Sequence, residues 1–125
     1  MSEALILFAH GARDPSWAGP LERLRDRVAA RAPASQVGVA FLEFMAPSLP
    51  EAIDAAVASG ATRIEIVPVF LAQGGHVRRD VPVMLEAAAI RHPQADIRLQ
   101  PVLGEAQAVL DAMADVVLRE AAQGR

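Results

Sequence analysis

A chain of 125 residues, 53% of them hydrophobic, has enough apolar material for one domain with a real core and too little length to promise two, so a single domain over 1–125 is expected. Cysteine, lysine and tyrosine are all missing, which excludes disulfides, thiolate nucleophiles, Cys-ligated metals, Schiff-base catalysis and the phosphate-cradling lysine of a P-loop. The formal net charge is −3 with no basic run and few aromatics, so no groove for nucleic acid is visible and none is expected as a partner.

In chain order, a strand at about 4–9 is followed by a helix at about 15–32. Asp14 and Pro15 form a good N-cap and first-turn pair, and Trp17, Leu21, Leu24 and Val28 fall at helical spacing as one apolar stripe. A second strand, about 37–43, is almost wholly apolar, as suits a strand covered on both faces. Ser48 with Glu51 makes a capping-box start for a helix ending near Gly60, which reads Ser48 as a cap and not a nucleophile. A third strand, about 62–68, should stop pairing at Pro68, which has no N–H to donate. Val69 to His76 then reads as an extended loop, and a helix is expected to start with Asp80 as cap and Pro82 in its first turn and to stop at His92-Pro93. Ile97 and Leu99, alternating with Arg98 and Gln100, fit a short fourth strand before a last helix at about 105–122. The β-α alternation predicts an α/β fold in three layers, a four-stranded parallel sheet with helices on both faces. No linker or low-complexity segment interrupts it. No apolar stretch approaches the roughly 20 residues needed to span a bilayer, and Glu3 stands where a signal peptide carries positive charge, so a cytoplasmic protein with no membrane partner is expected.

Three residues close the first three strands: His10, Glu43 and His76. The steps from 10 to 43 and from 43 to 76 are equal, thirty-three residues each, roughly the length of a βαβ unit at about 30 residues. Ligands of open α/β sheets bind beyond the carboxyl ends of the strands, so two imidazoles and a carboxylate would gather at that edge. Neutral imidazoles with a carboxylate suit a divalent first-row metal and leave coordination positions open. Glu43 interrupts an apolar run and can also accept protons. Gly74-Gly75 lets the backbone come close to a flat or bulky ligand. Arg13, Arg78 and Arg79 flank the histidines and could neutralise an anionic substrate. His92, at a helix end before Pro93, reads as a terminal cap and is left out of the site.

Three blocks in order carry a resemblance: Ala9-His10-Gly11-Ala12-Arg13, then Phe41-Leu42-Glu43-Phe44-Met45-Ala46-Pro47-Ser48-Leu49-Pro50, then Val67-Pro68-Val69-Phe70-Leu71-Ala72-Gln73-Gly74-Gly75-His76 with Asp80-Val81-Pro82. Over essentially its whole length the chain resembles the small sirohydrochlorin chelatases of the CbiX type, class II chelatases. The resemblance implies insertion of Co²⁺, Ni²⁺ or Fe²⁺, as substrate and with no permanently bound cofactor, into a tetrapyrrole bearing many carboxylates. It implies that His10 is the proton-accepting metal ligand and His76 the second ligand. Ala46 and the segment Leu71, Ala72, Gln73, Gly74, Gly75 and His76 would face the macrocycle. Ala12 departs from the usual Ser and removes a hydroxyl contact from substrate positioning. Larger relatives look like two such domains fused, so a half-size chain is expected to form a homodimer. The competing class is a non-catalytic metal-carrier module of the same fold, which would bind metal and give no tetrapyrrole product. A receiver domain lacks its acidic cluster and lysine here, and His10-Gly11-Ala12-Arg13-Asp14 lacks the glycine spacing of a dinucleotide fingerprint.

Overall fold

The computed structural model describes residues 2–123, and of His76 the backbone alone. Four strands, β1 (Glu3–Ala9), β2 (Gln36–Phe41), β3 (Arg63–Pro68) and β4 (Asp96–Leu99), alternate with four helices, α1 (Ala18–Arg31), α2 (Leu49–Ala58), α3 (Gly75–Arg91) and α4 (Gln107–Gln123). Short 3-10 turns at Pro15–Trp17 and Leu103–Glu105 lead into α1 and α4. All strand pairs are parallel, in the order β2-β1-β3-β4.

Side chains of a strand alternate between faces, and β1 is apolar on both. Ile6 and Phe8 join Ile64, Ile66, Ile53, Val77 and Val81 in one core under α2 and α3. Leu7 joins Leu21, Phe41 and Val67 in a second core under α1. These two apolar layers make the middle strands the rigid base from which the loops at their carboxyl ends project. Among the described residues no helix is long and apolar enough to cross a membrane.

Several boundaries differ from the sequence expectation, each for a physical reason. Trp17 is 71% exposed and belongs to the 3-10 turn, whose tighter winding breaks the stripe; burial begins at Leu21. Ser48 caps α2 as expected, its hydroxyl accepting from the Glu51 N–H while the Glu51 carboxylate accepts from the Ser48 N–H. The third helix starts at Gly75, with Gly74 and not Asp80 as its N-cap, so His76 lies in a helical first turn and Pro82 lies in the helix interior. An interior proline costs about 3 kcal/mol or more. Val77 and Val81 are almost fully buried one turn apart, and at roughly 1.5–3 kcal/mol each their burial offsets that cost.

The last helix is the largest departure. Helices do cover both faces, α1 on one and α2 with α3 on the other, but every residue of α4 is exposed except the half-buried Val109. It packs chiefly against the 3-10 turn that precedes it. The sheet face it would otherwise cover, beside α1, is polar over β3 and β4: Arg63 pairs with Glu65 at 3.0 Å, Arg98 with Asp96 at 2.9 Å, and Gln100 donates to Glu65 at 3.4 Å. Glu65 is 7% exposed and held by these partners, so an apolar helix has nothing to bury there.

Candidate functional site

The loop after β1 passes to the α1 face, whereas the loops after β2 and β3 pass to the opposite face, where α2 and α3 lie. That divergence makes the carboxyl end of β1 the topological switch point of the sheet, where ligands of open α/β sheets bind. His10 is the first residue beyond β1 and is exposed there. Its ring lies over Phe70, centroids 4.3 Å apart at 32°, and Phe70 in turn meets Phe8 at 5.7 Å and 59°. The imidazole therefore rests on a buried aromatic base continuous with the core.

Backbone hydrogen bonds draw the neighbouring loops to the same place. The Leu42 N–H donates to the Ala9 carbonyl at 2.9 Å and the Glu43 N–H donates to the His10 carbonyl at 3.1 Å, so the pairing of β1 with β2 continues past the strand ends. Gly11 takes a φ of +85°, and a Cβ there would collide with the Glu43 carbonyl oxygen, so the first block of the sequence needs glycine at this close approach. On the other side the Val69 N–H donates to the Phe8 carbonyl at 2.7 Å and starts the segment that carries Phe70 to Gly74.

His10 and Glu43 thus sit on adjacent, mutually bonded loops, and both are exposed. The backbone of His76 lies at the start of α3, after the strand on the other flank of β1; its side chain falls outside the described residues. Among the described residues no cluster of three or more His, Asp or Glu side chains stands ready to hold a metal. Two exposed apolar side chains stand on these loops, Phe44 on the β2 loop at 57% and Leu71 on the β3 loop at 72%; Ala46, Ala72, Gly74 and Gly75 are exposed and Gln73 half-buried. Arg13, Arg78 and Arg79 are exposed as well, and the Arg13 guanidinium lies 4.8 Å from the Phe44 ring centroid.

Sequence reasoning assigned no role to Phe70 or to the Arg13–Phe44 contact. The available signal was an aromatic residue two places beyond Pro68, in a stretch read as loop. His92 is the C-cap of α3 as expected, with its Nε2 2.7 Å from the Asp54 carboxylate on α2.

Comparison with known proteins places these blocks in context. The CbiX family model matches residues 4–120. A sirohydrochlorin cobaltochelatase of Methanocaldococcus jannaschii is 42% identical over 83 residues, 66% of this chain and 58% of that protein, so the chain matches well under two thirds of that relative's length. A solved chain described as a cobalamin (vitamin B12) biosynthesis CbiX protein, from Marinobacter aquaeolei VT8, superposes with a TM-score of 0.85 at 32% identity, covering 97% of this chain and 98% of that one. The sirohydrochlorin chelatase SirB of Bacillus subtilis subspecies spizizenii, solved in complex with cobalt, matches with a TM-score of 0.73 at 27% identity over 82% of this chain and 44% of its own.

Proposed function

This chain belongs to the CbiX family, and we propose on that footing that it is a lyase that inserts a divalent metal, Co²⁺ in the first place and Ni²⁺ or Fe²⁺ otherwise, into sirohydrochlorin in tetrapyrrole biosynthesis of the cobalamin or siroheme type. The observation that carries this reading is the exposed His10 imidazole, braced on Phe70 at the carboxyl end of the inner strand β1.

Metallation requires two pyrrole N–H protons to leave while a partly dehydrated cation reaches four ring nitrogens, so bases and metal must share one place. His10 acts as ligand to the incoming metal and as proton acceptor, His76 as second ligand, and Glu43 passes protons outward. Ala46 and the segment Leu71 to His76 face the macrocycle, with the exposed side chains of Leu71 and Phe44 offering apolar surface to a flat ring. Arg13, Arg78 and Arg79 meet its carboxylates. The setting is the cytoplasm, and the working unit is a homodimer, supported by the chelatase SirB, of which this chain matches only 44%.

The test is incubation of the purified protein with sirohydrochlorin and, separately, Co²⁺, Ni²⁺ and Fe²⁺, following the absorbance change on metallation. His10→Ala and His76→Ala should each cut turnover at least about a hundredfold with circular dichroism unchanged. Tight metal binding with no tetrapyrrole product would replace the chelatase reading by the carrier module.

A further inference from the structure

The segment that carries Phe70 is held from its outer flank by a residue that belongs to none of the three sequence blocks. The pairing of β3 with β4 continues past the strand ends, as that of β1 with β2 does: the Gln100 N–H donates to the Ile66 carbonyl at 2.8 Å, and further on the Gly104 N–H donates to the Phe70 carbonyl, also at 2.8 Å. Phe70 is therefore tied on both flanks, since the Val69 N–H beside it donates to the Phe8 carbonyl. Its buried ring touches both Phe8 and the His10 imidazole.

Gly104 is buried in the 3-10 turn Leu103–Glu105, and its φ lies outside the left-handed region that favours glycine. Space is what demands a glycine here. A Cβ would stand 2.6 Å from the Leu71 carbonyl carbon, and nearer still to the Leu71 Cα and carbonyl oxygen, where ordinary contact begins at about 3.4 Å. The turn itself is not free to retreat, because Val102 before it is buried in the core under α2 and α3 and Leu103 packs against the core under α1. The yielding partner is the Leu71 backbone, whose side chain is exposed, and with it the adjoining Phe70.

We propose that Gly104 is a positioning residue: by admitting the Leu71 backbone it fixes the attitude of Phe70, and through Phe70 that of the His10 imidazole. The inference rests on the reading of His10 as metal ligand and proton acceptor, and adds to it a residue that acts without touching metal or substrate. Its effect is geometric, since a reacting group displaced by about 1 Å can lose about a hundredfold in rate, and a smaller tilt of the ring loses part of that. Val109 closes the same arrangement from behind, lining an apolar cleft with Phe70, Leu71 and Gly104.

Proton NMR of the metal-free full chain, with steady-state metallation on the same samples, tests this. With its ring centroid 4.3 Å from that of Phe70, the His10 imidazole should give proton resonances upfield of an exposed histidine, identified by their loss in His10→Gln. Gly104→Ala should at least halve that upfield shift and lower kcat about tenfold, with KM for sirohydrochlorin changed by less than about twofold. Val109→Ala adds no clash and only empties the cleft; it should move both readouts the same way by a smaller factor, and it stands in for Gly104→Ala if that variant does not fold. His10 resonances that stay in place, an unchanged kcat, or a loss confined to KM would each overturn the proposal. The two readings fail separately. A wild type without metallation whose His10 shift still depends on Gly104 sinks the chelatase function alone, and metallation that proceeds alike in wild type and Gly104→Ala sinks the positioning role alone.

Discussion

His10 owes its place to two interactions that differ in kind: the run of β1 brings its backbone to the sheet edge, and the flat contact with Phe70 sets the attitude of its ring. Aromatic contacts of this geometry contribute about 0.5–1.5 kcal/mol beyond area burial. Phe70→Leu keeps the burial and removes the ring, so kcat/KM for metallation should fall up to about tenfold, with Phe70→Tyr close to wild type. A Leu variant at wild-type activity would show that the stack positions nothing. Glu43 tests a different question, since its backbone is tied to His10 while its carboxylate is exposed. Glu43→Gln keeps shape and hydrogen bonding and removes basicity. A proton-relay role predicts turnover lower by about 10² to 10⁴ with metal affinity little changed. A loss confined to affinity would make Glu43 a ligand, and no loss would make it only an exposed residue at a strand tip.

At the scale of elements, α3 combines a sequence that resists helix with a position that demands it. Pro82 interrupts the backbone ladder, while Val77, Val81 and Ala88 bury one side of the helix against the sheet. Pro82→Ala restores the missing N–H without touching those contacts. Thermal or denaturant unfolding should show the variant more stable, by up to about 3 kcal/mol; an unchanged midpoint would mean that the helix absorbs the proline without cost. The same element explains why His76 was placed in a loop by sequence rules and is helical here: a glycine N-cap carries no side-chain signal, whereas Asp80 followed closely by proline looks like a helix start.

For the whole molecule, one surface cluster ties the α2–α3 layer together and sets part of its acid sensitivity. The Asp54 carboxylate on α2 lies 2.7 Å from His92 Nε2 and accepts from Arg91 Nη2 at 3.2 Å, both at the end of α3. The His92 hydrogen bond, helped by Arg91, holds the Asp54 carboxyl below its ordinary value of 3.8. A depressed carboxylate pKa means that the unfolded chain takes up the proton first, so the contribution is present above pH 3.8 and is lost as pH falls through the folded value. The cluster is half-exposed, so about 0.2–1 kcal/mol is its range. Wild type should exceed Asp54→Asn by that amount at pH 7, with the gap closing below about pH 4. A gap that persists undiminished at pH 3 would point to packing and not charge.

By itself the sequence determined the β-α order, the parallel sheet, the capping box of Ser48 with Glu51 and the place of His10 and Glu43 at strand ends, because each follows from periodicity or from a residue type with one local use. The glycine at position 11 was visible as part of a block, but its reason, the Glu43 carbonyl pressed against it, is a contact between residues thirty-two positions apart. Only the tertiary structure decided that Phe70 supports the His10 ring, that Trp17 stays outside the core and that α3 runs through Pro82. It also decided the fate of α4. That helix carries an ordinary amphipathic pattern, and nothing local distinguishes a helix that covers its own sheet from one that stands free. The difference lies in what the opposing surface offers, and here Arg63, Glu65, Asp96 and Arg98, brought side by side only by the pairing of β3 with β4, make that surface polar.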